Sequence, residues 1–243
     1  MLAIEVVFLT GRYVATAYNT RAEGEWPPHP ARLFSALVAT HCAADPSLGP
    51  DAAGERAVLE WLEQQGAPQI RATEATVRDV VTVFVPGNDP KTGEAVLPEG
   101  RGRQPRTFPS VTPHEPAVTY IWPDAEPGGG QRVALDRVLA RVVRLGHSSS
   151  LVSMRSVETP GEPTWIPSSS GGTPFRVCET GQLAALERAF EIHREIEPRV
   201  MPARHQLYTR PTAAGAPAPV ATVFGDDWLV LRRVGGPHVP MTA

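Results

Sequence analysis

Hydrophobic and polar positions along this chain follow two periods, and the switches between them mark its elements. LAIEVVFL at residues 2 to 9 is a short β-branched and aromatic run closed by Gly11, which predicts a buried strand. Pro30 suits a first helical position, and Leu33, Phe34, Leu37, Val38 and His41 then recur at helical spacing. A second helical stretch runs from about Ala53 to Gln65, with Val58, Trp61 and Leu62 on one face and Gly66 as its stop. TVRDVVTVFV at 76 to 85 and AVTYIW at 117 to 122 read as strands, separated by an irregular stretch too long for a hairpin loop. Leu135, Val138, Leu139, Val142 and Leu145 then make one face of an amphipathic helix, with Arg137, Arg141 and Arg144 on another. LVSMRSV at 151 to 157 alternates as a strand.

The resulting order over residues 2 to 157 is β, α, β, β, α, β. It predicts an α+β fold of the ferredoxin-like, RNA-recognition kind: a four-stranded antiparallel sheet with two helices on one face and the other face free for a ligand. The expected organisation is a ferredoxin-like domain over residues 1–158, with a long insertion at about 87–116. An accessory region over 159–243 follows. It holds a strand at FRVCET (175 to 180), a helix from about Gly181 to Ile196 with Leu183, Leu186 and Phe190 inward, and a small β-meander from RHQLYTR, VATVF and WLVLRRV around a Gly225-Asp226-Asp227 turn. The last residues, GGPHVPMTA, bring no closing element, so the chain is expected to be part of a longer protein.

Composition narrows the function. With 42% hydrophobic residues the chain can bury a substantial core, and the 26 prolines and 21 glycines cluster in loops. A formal net charge of -3 gives no whole-chain field for a polyanion, so any nucleic-acid surface must be local. Cys42 and Cys178 offer neither a disulfide framework nor zinc spacing, fit a reducing cytoplasm, and read as small core hydrophobes. No apolar run approaches the roughly 20 residues that span a bilayer, so no membrane partner is expected.

Basic residues concentrate in the insertion, where Arg101, Arg103 and Arg106 lie among glycine and proline beside Phe108, with Lys91 upstream. Such a loop can be a solvated surface, with Glu94 and Glu99 offsetting part of its charge. It can equally neutralise phosphates while an aromatic ring stacks on an unpaired base. RLGHSSSLV at 144 to 152 places a glycine and three serines between helix and strand, either a plain tight turn or a cradle of backbone amides for phosphate. PGGGQ at 127 to 131 lacks the lysine of a nucleotide-binding loop and reads as a turn. Seven scattered histidines show no metal-ligand spacing, and no triad or carboxylate pair stands out, so neither metal, cofactor nor catalytic residue is assigned.

Residues 11 to 38, GRYVATAYNTRAEGEWPPHPARLFSALV, resemble the opening of the type I-U (I-G) CRISPR-associated Cas-five/Cas-six fusion family, with its glutamate-tryptophan-proline-proline segment and a helix beginning P-x-R-L. RQPRTFPSVTP at 103 to 113, LGHSSSLVSMR at 145 to 155 and VLRRVGGPHVP at 230 to 240 add to the resemblance. It implies a RAMP fold whose front, Cas-five-like half grips the 5′ handle of CRISPR RNA and caps the backbone filament, the insertion acting as a thumb. The RNA-cutting Cas-six-like half would be missing. Implied partners are CRISPR RNA, the Cas-seven-like backbone and large subunits of a Cascade complex, and target DNA indirectly. By matching motif, the implied RNA contacts are Arg12, Tyr13, Arg21 and Arg32, then Arg101, Arg103, Arg106 and Phe108, then Gly146, His147, Ser148, Ser149 and Ser150. His147 stands where the family usually has arginine, which leaves more of the holding to backbone amides. Two other functions fit the residues: a metal-independent endoribonuclease using a histidine, and a structural adaptor touching only protein.

Overall fold

In the computed structural model, residues 1–17, 20–44, 51–80, 82–86, 102–193 and 203–211 are described, without the side chains of Arg21, Asp51, Pro86 and His193. In chain order the elements are β1 (Leu2–Phe8), β2 (Tyr13–Val14), β3 (Thr16–Ala17), β4 (Thr20–Gly24), α1 (Pro30–Cys42), α2 (Asp51–Leu62), β5 (Gln69–Ala72), β6 (Ala75–Val77) and β7 (Thr82–Pro86). They continue with β8 (Arg103–Thr107), β9 (Ser110–Pro113), β10 (Ala117–Trp122), α3 (Gly129–Arg141), β11 (Val152–Ser156), β12 (Ile166–Ser168), β13 (Thr173–Val177), α4 (Gln182–His193) and β14 (Arg204–Thr209). Among the described residues, no helix is long and apolar enough to cross a membrane.

The central sheet has the order β11-β1-β10-β5, every neighbouring pair antiparallel. Its register sets Ile4 opposite Tyr120 and Tyr120 opposite Ile70, while Val6 lies between Val118 and Met154. Because side chains alternate across a strand, these residues share one face. That face is fully buried, and Leu33, Phe34 and Leu37 of α1, Val58, Leu59 and Leu62 of α2, and Leu135, Val138 and Leu139 of α3 belong to the same apolar cluster. Fully burying each such side chain contributes about 1.5–3 kcal/mol, which explains why the helical spacing read from the sequence survives in the fold. The apolar stripe ending in Val142 and Leu145 is buried, but α3 stops at Arg141, so Val142, Arg144 and Leu145 lie beyond the helix and not on its faces as expected.

Several expectations are corrected. The β-branched run at 76 to 85 is not the second strand of the central sheet. That place is taken by β5, while the run divides between β6, paired with β9, and β7, paired with β8. Val77, Phe84 and Val85 are exposed, because β-propensity reports extended backbone and not which face is covered. Part of the irregular insertion is thus an ordered hairpin. The glycines read as a turn at 127 to 131 instead supply the first residues of α3, with Gly128 as N-cap and the Gln131 side chain accepting from its N–H at 2.9 Å. Cys42 is exposed, not core, and Phe190 is 61% exposed where an inward position was expected. The second sheet face is not an open platform: Ala3, Thr119 and Ile121 are buried there, and Glu5 pairs with Arg155.

Residues Met1–Pro211 form one compact unit. Within it β12, β14 and β13 make a three-stranded antiparallel sheet with β14 central, and Tyr208 of β14 stacks on Phe175 of β13. Buried Glu63, just beyond α2, accepts the backbone N–H groups of Gly181 and Leu183 at 2.8 Å each and so caps the start of α4. The VATVF and WLVLRRV segments and the turn between them lie outside the described residues.

Candidate nucleic-acid interface

The short strand after β1 decides where the predicted residues fall. Gly11 turns with φ +65°, leaving Arg12 half-buried and driving Tyr13 into the core. The Tyr13 hydroxyl donates to Glu25 Oε1 at 2.8 Å. Arg32 reaches the same carboxylate through both Nε (2.8 Å) and Nη2 (2.9 Å), and Arg176 of β13 donates to Oε2 at 2.9 Å. Glu25 is 2% exposed. Burial alone would raise its carboxyl, but the Arg32 and Tyr13 hydrogen bonds hold it down to about 2. His29 completes the cluster: its Nδ1 accepts from the Arg176 backbone N–H at 3.3 Å, and burial pushes the imidazole down to about 4. Tyr13 is therefore a support for Arg32 and not itself a surface.

The glycine-serine turn sits on this strand. Gly146 has φ +79°, and a Cβ there would stand 3.0 Å from the Val14 carbonyl oxygen and 3.1 Å from the Tyr13 ring. The His147 N–H donates to the Val14 carbonyl at 3.0 Å, and buried Ser150 Oγ accepts the Val14 N–H at 2.8 Å. Outside this anchor, His147 and Ser148 are exposed and Ser149 is half-buried, its hydroxyl 2.9 Å from His147 Nδ1. The turn thus divides into an anchored foot, Ser150 buried and Gly146 packed closely on Val14 and Tyr13, and an exposed crest.

Arg103 and Arg106 are both exposed on β8. An odd spacing of three along a strand puts them on opposite faces of the hairpin, so they do not make one basic patch. Arg106 donates to Gln104 Oε1 at 2.8 Å on its own face. Phe108 follows the hairpin, 43% exposed, and its ring centre lies 4.9 Å from that of His147. The hairpin base and the serine crest are therefore adjacent. Arg101 lies outside the described residues, as does the side chain of Arg21, whose backbone belongs to β4.

On the other side of the turn is a cleft of about 490 Å³, bounded by α1 and the end of α3 and lined by Arg32, Ala36, Ala39, Arg141, Arg144 and Gly146. Arg141 donates from Nη2 to Glu55 Oε2 at 2.7 Å, where the buried carboxylate also meets His41 Nδ1 at 3.1 Å. The positions that hold Arg32 and Arg141, Glu25 and Glu55, do not stand out as site residues in the sequence. Glu25 stands four residues before His29 and seven before Arg32, a local signal; Arg176 is distant and leaves none.

A model of the "CRISPR-associated protein, GSU0054 family" matches residues 6–210. The chain belongs to this family. Like other members of a CRISPR-associated family, the GSU0054-family chain has a CRISPR-related role. A solved structure of a CRISPR protein from Archaeoglobus fulgidus is similar at 14% identity, over 88% of this chain and 87% of its own, with a TM-score of 0.30. None of the curated proteins compared matches this GSU0054-family chain.

Proposed function

We propose that this chain binds CRISPR RNA as the Cas-five-like part of a type I-U (I-G) interference complex, in the cytoplasm, gripping the 5′ handle beside Cas-seven-like backbone subunits. In this reading the central sheet is a ferredoxin-like RAMP sheet, which its order β11-β1-β10-β5 supports. The observation that carries the reading is the contact between Phe108 and His147. It joins the arginine strand of the hairpin to the serine crest, so a single strand of RNA meets guanidinium, aromatic ring and hydroxyls in succession. Aromatic rings accept bases of any sequence, and guanidiniums accept phosphates, which suits a handle held for its position.

The test is binding of the full chain to labelled CRISPR repeat RNA, followed by fluorescence polarisation at several salt concentrations. The Arg103→Glu/Arg106→Glu variant should bind at least about tenfold more weakly, with the salt slope reduced by about 0.7 for each phosphate that is no longer neutralised. Equal affinity and equal slope for variant and wild type would overturn the reading.

A further inference from the structure

The cleft behind the Gly146 turn has the construction of a binding site that the hairpin and crest do not account for. Its charged groups are three arginines, and two of them are held from behind by carboxylates that are themselves buried: Arg32 by Glu25 and Arg141 by Glu55. A guanidinium has five N–H groups in a planar fork, so a carboxylate that takes one or two of them leaves the others for a ligand. The third, Arg144, is exposed, and among the described residues its side chain has no hydrogen-bond or ion-pair partner. The charges do not cancel. Arg32 is paired with Glu25 and Arg141 with Glu55, whereas Arg144 has no carboxylate partner among the described residues.

The remaining wall is small and largely apolar. Ala36 and Ala39 line it, and Ser35 and Thr40 turn their hydroxyl protons back onto the α1 carbonyls of Ala31 and Ala36, both at 2.8 Å. Recognition of charge therefore falls to the arginines, with the alanine wall free to pack against a flat or apolar group. Arginine in place of lysine favours a planar or tetrahedral oxyanion gripped by paired N–H groups. A volume of about 490 Å³ is enough for one mononucleotide unit.

We infer that this cleft is a socket for one nucleotide of single-stranded RNA, its phosphate held among Arg32, Arg141 and Arg144 and its base and ribose against the alanine wall of α1. The inference rests on the RNA-binding reading and extends it, since Gly146 belongs both to the cleft lining and to the turn whose crest meets Phe108. RNA leaving the crest enters the cleft across that glycine. Glu25 and Glu55 act as positioning residues, because they touch the arginines and not the ligand.

The experiment uses the full chain, 4-thiouridine-substituted repeat RNA and the Arg144→Glu variant, whose exposed side chain can change without disturbing the core. Photo-crosslinking of wild type should label peptides that carry residues 36 to 44 or 142 to 146. Arg144→Glu should lose those crosslinks and bind about tenfold more weakly, with a salt slope lower by about 0.7, the value of one phosphate on a single strand, while its circular dichroism is unchanged. Crosslinks confined to the hairpin and crest, with Arg144→Glu binding as wild type does, overturn the socket and leave the proposed function standing. Absence of RNA binding by the wild type overturns both. Binding of a poly-glutamate peptide that Arg144→Glu abolishes, without any crosslink to the cleft, assigns it to an acidic protein partner and overturns the socket.

Discussion

Arg32 grips Glu25 with two parallel hydrogen bonds, Nε to Oε1 at 2.8 Å and Nη2 to Oε2 at 2.9 Å, beneath a surface where Glu25 is almost completely hidden. The carboxylate links three stretches of the chain, because Tyr13 and Arg176 donate to it as well. Replacing it by an amide removes the buried negative charge to which both Arg32 and Arg176 donate. Glu25→Gln should cost about 3–5 kcal/mol of folding stability, read from urea denaturation, and Tyr13→Phe about 1–2 kcal/mol. A loss below about 1 kcal/mol for Glu25→Gln would mean that the cluster is not integral to the fold.

The same cluster sets an acid limit. The unfolded chain protonates His29 near 6.5, whereas the folded chain, with Nδ1 accepting from Arg176 and the ring buried, does so only near 4. Between those values the unfolded state binds the extra proton, so stability falls as pH drops from about 6.5 to about 4. Glu25 adds a further loss as pH falls from 4.5 toward about 2, since its folded carboxyl resists protonation. Urea midpoints measured from about pH 7 down to about pH 4 should decline, and His29→Gln should flatten that decline. A flat profile in the wild type contradicts this assignment.

Gly146 is needed for its conformation and for its space. Gly146→Ala would hold a side chain at φ +79° and press its Cβ on the Val14 carbonyl and the Tyr13 ring, costing about 1–3 kcal/mol. Ser150→Ala removes the acceptor of the buried Val14 N–H and should cost about 1–3 kcal/mol. In the proposed function, both variants also weaken RNA binding by moving the crest, while Ser148→Ala leaves stability unchanged. Thermal denaturation alongside the polarisation assay separates the two effects.

The two thiols should differ in reactivity. Burial pushes the Cys178 thiol up to about 12, whereas Cys42 is exposed at the end of α1, its thiol raised by partial burial and the nearby Glu187 carboxylate. A maleimide at about pH 8 should therefore modify Cys42 alone in the native chain and both cysteines in concentrated urea, as mass spectrometry of the peptides would show. Rapid native labelling of Cys178 would indicate local opening of β13.

Local periodicity was enough to specify β1 and β11, the three helices packed on the central sheet, and the turn between α3 and β11. Apolar side chains at helical or alternating spacing can be buried on only one face, whatever else surrounds them, so these elements are written in neighbouring residues. The residue types likewise marked the arginines, the serines and Phe108 as a chemistry. Long-range packing settled which strand became β5, since Thr82–Pro86 has the stronger β-propensity yet Gln69–Ala72 is the segment that pairs with β10. It also turned Tyr13 and Ser150 inward, divided Arg103 from Arg106, and set Arg176 against Glu25 and Arg141 against Glu55. Those pairings join residues far apart in the chain, and only the closing of the sheet and helices brings their charges within hydrogen-bond reach.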